Sequence, residues 1–199
     1  MSSNRAPRQA KGVLVVVSGP SGAGKTSICK ALLEAIPGSV WSVSATTRPP
    51  RAGETHGVSY EFITQHEFAN RVQVGDFLEH AEYIGYHYGT PRQAVEKALG
   101  EGLDVIMEID VQGGIQVAKK MPRSVRIFVL PPNMESLRAR LEGRRTEVAE
   151  QLARRLAEAD GEIAVARDSG CYPYFVVNDV LENTVDEVRK IIEEERRKL

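Results

Sequence analysis

The sequence predicts an α/β protein in which a parallel β-sheet is flanked by helices and interrupted by a small mixed α/β insert and a helical flap. Three observations predict it. Val13–Val17, Asp104–Ile109, Val125–Leu130 and the shorter Tyr174–Val177 are apolar on both parities, as strands buried on both faces of a parallel sheet must be. Helical patterns separate these runs, which is the rhythm of an α/β chain. A glycine-rich turn joins the first strand to the first helix.

The elements follow in order. Residues 1–11 are basic and polar, a flexible lead-in without the apolar segment of a signal peptide. After the first strand and its turn, Thr26–Ala35 places Ile28, Leu32 and Leu33 (or Ala31) at helical spacing and stops at Pro37-Gly38. Ser42–Tyr88 is rich in Thr, Arg, Gly, Tyr and His, with short alternating runs, and reads as a mostly β insert. Arg92–Leu99, Gln112–Lys120 and Glu135–Leu141, running on toward Ala159, carry helical patterns. Within that last stretch, Arg138–Arg155 has many arginines and few apolar residues and reads as a surface flap. Val185–Lys198 closes the chain with Val185, Val188, Ile191 and Ile192 on one face. Core segments are therefore expected at 12–41, 93–134 and 161–199, an insert at 42–92 and the flap at 135–160.

Composition narrows the class. A chain of 199 residues supports one compact domain with a sizeable core. The balance of 42% hydrophobic and 27% charged residues excludes a disordered chain. The net charge of −1 gives no global attraction to nucleic acid or an acidic membrane, so any preference for anions must be local. Two cysteines, Cys29 and Cys171, support neither a disulfide scaffold nor a zinc cluster and fit a reduced, cytoplasmic setting. Cys29 reads as a small buried side chain, and Trp41 as a lone aromatic packed beneath the insert. His56, His66, His80 and His87 lack metal-ligand spacing. No apolar run approaches the roughly 20 residues that span a bilayer. Oligomeric state is open.

The chemistry starts at Gly19-Pro20-Ser21-Gly22-Ala23-Gly24-Lys25-Thr26, which satisfies G-x-x-x-x-G-K-[ST] between a strand and a helix. Glycines let the backbone form a nest of inward N–H groups, and the helix adds its positive N-terminal end. Lys25 can then reach the β- and γ-phosphates of a nucleoside triphosphate, and the Thr26 hydroxyl can meet Mg²⁺. Gly19 to Ser27 are thus the expected triphosphate-binding segment, and the chain a P-loop phosphotransferase.

In the insert, Arg48 and Arg51 flank Pro49-Pro50, which restrict the backbone and discourage a helix. Guanidinium forks presented this way suit a phosphate, while two solvated loop arginines are the alternative. Val105–Asp110 is an apolar strand with Glu108 and Asp110 at its end, pointing to one side. Beside a P-loop such acids meet Mg²⁺ or water on it, or Asp110 caps the following helix.

The run Ser44-Ala45-Thr46-Thr47-Arg48-x-x-Arg51-x-Gly53-Glu54-x-x-Gly57-x-x-Tyr60 resembles the monophosphate-binding segment of guanylate kinases. Phe77–Ala81, Tyr86–Thr90, Glu108–Gly113, Pro131-Pro132, Arg140-Leu141-x-Gly143-Arg144 and Val177–Asp179 follow in that family's order, from about Gly12 to the last helix. The resemblance implies the P-loop NTPase fold with an NMP-binding insert and a helical lid, and the reaction ATP + GMP to ADP + GDP with Mg²⁺. It implies that Arg48, Arg51, Tyr60 and Tyr88 hold the GMP phosphate and that Ser44, Glu79 and Thr90 read guanine, with Glu108 and Asp110 beside them. It implies that Arg140, Arg144 and Arg155 come over the transferring phosphate, joining Lys25, Arg48 and Asp110, and that Asn178 lies near adenine. The family often carries Asp where this chain has Glu108, which shifts more of the expected work onto Asp110. A guanylate-kinase-like binding module and a P-loop kinase for another phosphorylated acceptor are the competing readings. The intact Gly24-Lys25-Thr26 argues against the first, and Ser44, Glu79 and Thr90 against the second.

Overall fold

A computed structural model describes residues 11–83, 85–142 and 149–198. Five strands, β1 (Leu14–Ser18), β2 (Ser39–Trp41), β7 (Asp104–Glu108), β8 (Val125–Leu130) and β9 (Tyr174–Val177), form one sheet in the order β2-β7-β1-β8-β9. All its pairings are parallel. Because β1 is central and covered on both sides, its odd and even positions both need apolar residues. Val13, Val15 and Val17 pack with Ile28 and Leu32 of α1 (Lys25–Ala35) and with Val188 and Ile192 of α7 (Leu181–Arg196). Leu14 and Val16 pack on the other face with Val95 and Leu99 of α3 (Arg92–Gly100) and Val117 of α4 (Val111–Lys120).

Between β2 and α3 lies a second sheet, order β4-β3-β6-β5, built from β3 (Ala45–Thr46), β4 (Glu61–Phe62), β5 (Phe77–Tyr83) and β6 (Tyr86–Pro91). It is mixed: β3 pairs parallel with β4, and β6 pairs antiparallel with β3 and β5. One helix that the sequence reading passed over, α2 (Gln65–Gln73), packs Phe68 on Phe77 beneath this sheet. Its signal is the T-x-x-E pattern: Thr64 Oγ1 accepts the Glu67 amide at 3.1 Å, satisfying a helix-end donor.

Two other expectations are corrected. Among the described residues, the Arg138–Arg155 stretch is not a bare surface flap: α5 (Met134–Glu142) and α6 (Ala149–Asp168) bury Leu137, Leu141 and Ala159 in a cluster of their own, with Leu152 and Leu156 against it. Trp41 does not sit beneath the insert; it ends the edge strand β2 and packs on the main core. Of the two readings of Asp110, the capping one is observed: it lies beyond the end of β7, where its Oδ1 accepts the Gly113 amide at 2.7 Å and caps α4. No described helix is long and apolar enough to cross a membrane.

A buried carboxylate ties the two ends of the described chain. Asp104, 3% exposed at the start of β7, accepts the Val13 amide at 2.9 Å and pairs with Arg196 of α7.

Candidate active site

The C-terminal ends of β1 and β7 open on a cavity of about 620 Å³. Gly19, Ser21, Lys25 and Thr26 line it from the phosphate loop, Ser44 and Tyr60 from the second sheet and its loop, and Glu108, Asp110 and Arg155 from the remaining sides. This is the crevice outside the strand ends where open α/β sheets bind ligands.

The loop's shape follows from its glycines. Gly22 and Gly24 hold φ of 87° and 95°, a region L-residues rarely enter. At Gly24 a Cβ would fall 2.2 Å from Asn178 Nδ2, so any side chain would expel that amide. Asn178 is buried; its Nδ2 donates to the Ala23 carbonyl at 2.8 Å, and its Oδ1 accepts from Thr184. Its own carbonyl accepts from Arg140 Nη2 at 2.8 Å. Asn178 and Arg140 thus meet each other behind the loop, outside the cavity lining. Gly22 lies under Leu137 and Leu141 of α5, while Ser27 is exposed on α1.

Lys25 folds back on the loop, its ammonium donating to the carbonyls of Gly19 (2.6 Å) and Pro20 (3.1 Å). Burial lowers its pKa, and the nearby Glu108 and Glu162 carboxylates oppose that shift. Thr26 Oγ1 donates to Glu108 Oε1 at 2.9 Å. The longer side chain of Glu108 therefore spans to the P-loop threonine, while the shorter Asp110 turns to its helix cap. Cys29 is fully buried and burial pushes its thiol far up, so it is no nucleophile.

On the second sheet, Glu79 of β5 faces Thr90 of β6 across the antiparallel ladder. The Thr90 hydroxyl donates to Glu79 Oε1 at 2.6 Å and lies 3.2 Å from Ser44 Oγ, forming a chain of three polar side chains that ends on the cavity wall. Glu79 is 5% exposed, and burial pushes its pKa up to about 7 against the lowering effect of Thr90. Helix α4 grips this strand: Lys120 Nζ donates to the Phe77 carbonyl, and Gln116 pairs with both backbone groups of His80.

Arg48 is 8% exposed, with its guanidinium 5.5 Å from the centre of the Tyr60 ring and Tyr60 edge-on to Tyr88 at 6.0 Å. Arg51 is exposed on the same loop. Arg48, Tyr60 and Tyr88 are thus together, and Ser44, Glu79 and Thr90 are together; Arg48, Tyr88, Glu79 and Thr90 stand behind the cavity wall that Tyr60 and Ser44 form. Arg144 lies outside the described residues.

Four residues not singled out from the sequence, Lys30, Ser42, Glu158 and Glu162, also line the cavity. The signal for the last two was available: Arg155, Glu158, Ala159 and Glu162 fall at helical spacing, and all four line the cavity from one face of α6.

The comparisons agree with this architecture. The Guanylate kinase family profile matches residues 11–195. A guanylate kinase from Symbiobacterium thermophilum is 50% identical over 190 residues, covering 96% of this chain and 89% of its own. One from Clostridium perfringens is 49% identical over 189 residues, covering 95% and 86%. The crystal structure of guanylate kinase from Anaplasma phagocytophilum superposes with a TM-score of 0.73 at 34% identity, covering 94% of this chain and 88% of that one. A gluconokinase from Sinorhizobium meliloti 1021, at 16% identity and a TM-score of 0.53, shares the fold alone.

Proposed function

This chain belongs to the guanylate kinase family, and we propose from its site that it transfers the γ-phosphate of ATP to GMP, and to dGMP, giving ADP and GDP. The observation that carries the reading is the side-chain chain Glu79–Thr90–Ser44, which ends on the same cavity as Lys25 and Thr26. A donor-phosphate loop and a purine-reading carboxylate thereby face one volume.

In this reading ATP lies on Gly19–Ser27, with Lys25 exchanging its loop carbonyls for phosphate oxygens and Asn178 and Arg140 shaping the loop from behind. GMP lies on residues 42–92, its phosphate held by Arg48, Arg51, Tyr60 and Tyr88. Ionised Glu79 accepts from guanine N1–H and N2–H₂, while Ser44 and Thr90 complete the base contacts. Adenine presents a lone pair at N1 and no 2-amino group, so it would leave the carboxylate unpaired; such sites discriminate by roughly 10⁴ or more. A GMP phosphate oxygen attacks the γ-phosphorus, the bond to the β,γ-bridging oxygen breaks, and ADP leaves with that electron pair. Little covalent chemistry is asked of the protein, so positioning and charge neutralisation carry the rate.

Thr26 and Glu108, already bonded at 2.9 Å, present hard oxygen donors beside the loop and fit Mg²⁺, with Asp110 on the same wall. The ion supplies charge neutralisation on the phosphates. Residues 135–160 act as the lid over the core at 12–41, 93–134 and 161–199, with Arg144 and Arg155 meeting the phosphates, Arg140 staying behind the loop, and water excluded.

A coupled ADP-release assay across GMP, dGMP, AMP, CMP and UMP tests the reading. GMP and dGMP turn over and the others give background. Comparable turnover with AMP sinks it.

A further inference from the structure

The carboxylate of Glu54 is held on both of its oxygens. Its Oε1 accepts from Arg48 Nη2 at 2.8 Å, and its Oε2 accepts the Arg51 backbone amide at 2.8 Å. One carboxylate therefore fixes both the guanidinium of the first clamp arginine and the backbone that presents the second. Arg48 Nη1 donates to the Pro49 carbonyl at 2.8 Å, so the far end of its fork is also set. Gly53, with φ of 85°, turns the chain so that Glu54 reaches back across Pro49-Pro50. We propose that Glu54 is a positioning residue for acceptor-phosphate binding, orienting the Arg48–Arg51 loop before the nucleotide arrives. This rests on the reading of Arg48 and Arg51 as the phosphate clamp.

Two physical effects oppose each other here. Glu54 places negative charge beside the site of a phosphate dianion, which disfavours binding through space. It also holds a long, rotamer-rich side chain in one orientation, and that ordering would otherwise fall on the binding step. Arg48 is only 9% exposed along its side chain and Glu54 21%, so little water competes for the bond that orients the guanidinium; in the proposed role this ordering outweighs the repulsion. The Glu54 carboxyl lies below its ordinary pKa, foremost because of the Arg48 hydrogen bond, so the pair stays ionised through neutral pH.

The two effects give opposite signs for Glu54→Gln, which removes the charge at nearly constant shape. Positioning predicts a GMP Kd raised about tenfold, the scale of one lost charge-assisted hydrogen bond. The KM for ATP should not move. GMP binding is read by the fluorescence of Trp41, the one tryptophan, on the cavity wall. Positioning also predicts that Glu54→Gln costs clearly less in an Arg48→Met background than in the wild type, the remainder acting through Arg51, and that Glu54→Asp restores part of the affinity. Unchanged or tighter GMP binding by Glu54→Gln, with Arg48→Met still weakening it, overturns the proposal and leaves the clamp standing. Additive losses overturn it in favour of a merely structural role, as does a loss of ATP affinity matching that for GMP. If Arg48→Met itself leaves GMP affinity untouched, the clamp reading falls and the role of Glu54 with it. A variant whose thermal melt shows an unfolded chain is replaced by Glu54→Asp, for which a Kd equal to that of the Arg48→Met protein counts against positioning.

Discussion

At Glu79 burial and hydrogen bonding pull in opposite directions. Desolvation disfavours its charge and Thr90 favours it, with the balance near pH 7. Reading guanine needs the ionised form. GMP Kd should therefore rise as pH falls through 7, by about tenfold at pH 6, since only about a tenth of the carboxyls remain ionised one unit below the pKa. The GMP phosphate also titrates near 6, so the control is Glu79→Gln, whose binding should be weak throughout and follow only the phosphate. A wild-type profile parallel to that of Glu79→Gln refutes the assignment. Because burial raises the folded pKa of Glu79 above the unfolded one, its penalty to stability is absent below about 4.5, grows with rising pH, and is complete above about 7. Glu79 itself was legible only through the resemblance. Nothing in Phe77–Ala81 distinguishes a buried carboxylate from a surface one, because its burial comes from β6 across the hairpin and from α4, which follows only after α3 and β7.

Among the elements, α4 does the most to join the two halves of the site. Asp110 caps its first turn on the phosphate side, while Gln116 and Lys120 hold β5 on the other. Two adjacent glycines let it fit. A Cβ on Gly113 would lie 3.1 Å from Glu79 Oε2, and one on Gly114 would fall 1.7 Å from the Tyr172 hydroxyl. That hydroxyl, 2.9 Å from Ser18 Oγ and 3.2 Å from the Val111 carbonyl, fixes the end of β1 just before the phosphate loop. Helix propensity alone favours Gly114→Ala by about 1 kcal/mol. Overpacking here costs about 1–3 kcal/mol, with the Tyr172 bonds lost besides, so the variant should unfold at lower urea. Tyr172→Phe does not rescue it, because the ring carbon would remain 2.6 Å away. Equal or higher stability of Gly114→Ala would show that the helix shifts freely and that the close fit is unimportant. The sequence made α4 readable by its period and Asp110 by its place before Gly113. It did not show which glycine meets a tyrosine nearly sixty residues on, because that contact exists only once β8 and β9 have paired.

Across the whole molecule, legibility follows how local the cause is. Val125–Leu130 matches β8 because burial on both faces writes an apolar run directly into the chain, whereas Tyr174–Val177 matches β9 in position but not in burial: this edge strand fully buries Val176 and leaves Phe175 and Val177 exposed. The α5–α6 cluster was hidden because its apolar residues, Leu137, Leu141, Leu152, Leu156 and Ala159, are divided between two helices and diluted by arginines. That cluster has a functional consequence: it gives α6 a seat beside the phosphate loop, so Arg155, Glu158 and Glu162 face the cavity from a packed helix rather than a loose flap. In the proposed reading Arg155 belongs to the wall that meets the transferring phosphate, while the acceptor clamp lies on the loop that follows β3. Arg155→Met should lower kcat by about 10³-fold while changing GMP affinity less than about threefold, because an arginine that stabilises transferring charge acts in the transition state. Steady-state rates at saturating ATP and GMP give the first quantity, and Trp41 fluorescence titration the second. If GMP affinity falls in step with kcat, Arg155 contributes to ground-state binding, and the division of labour between lid and insert is wrong. If kcat stays within about fivefold of wild type, the charge on the γ-phosphate is being neutralised by Lys25 and its neighbours without help from α6.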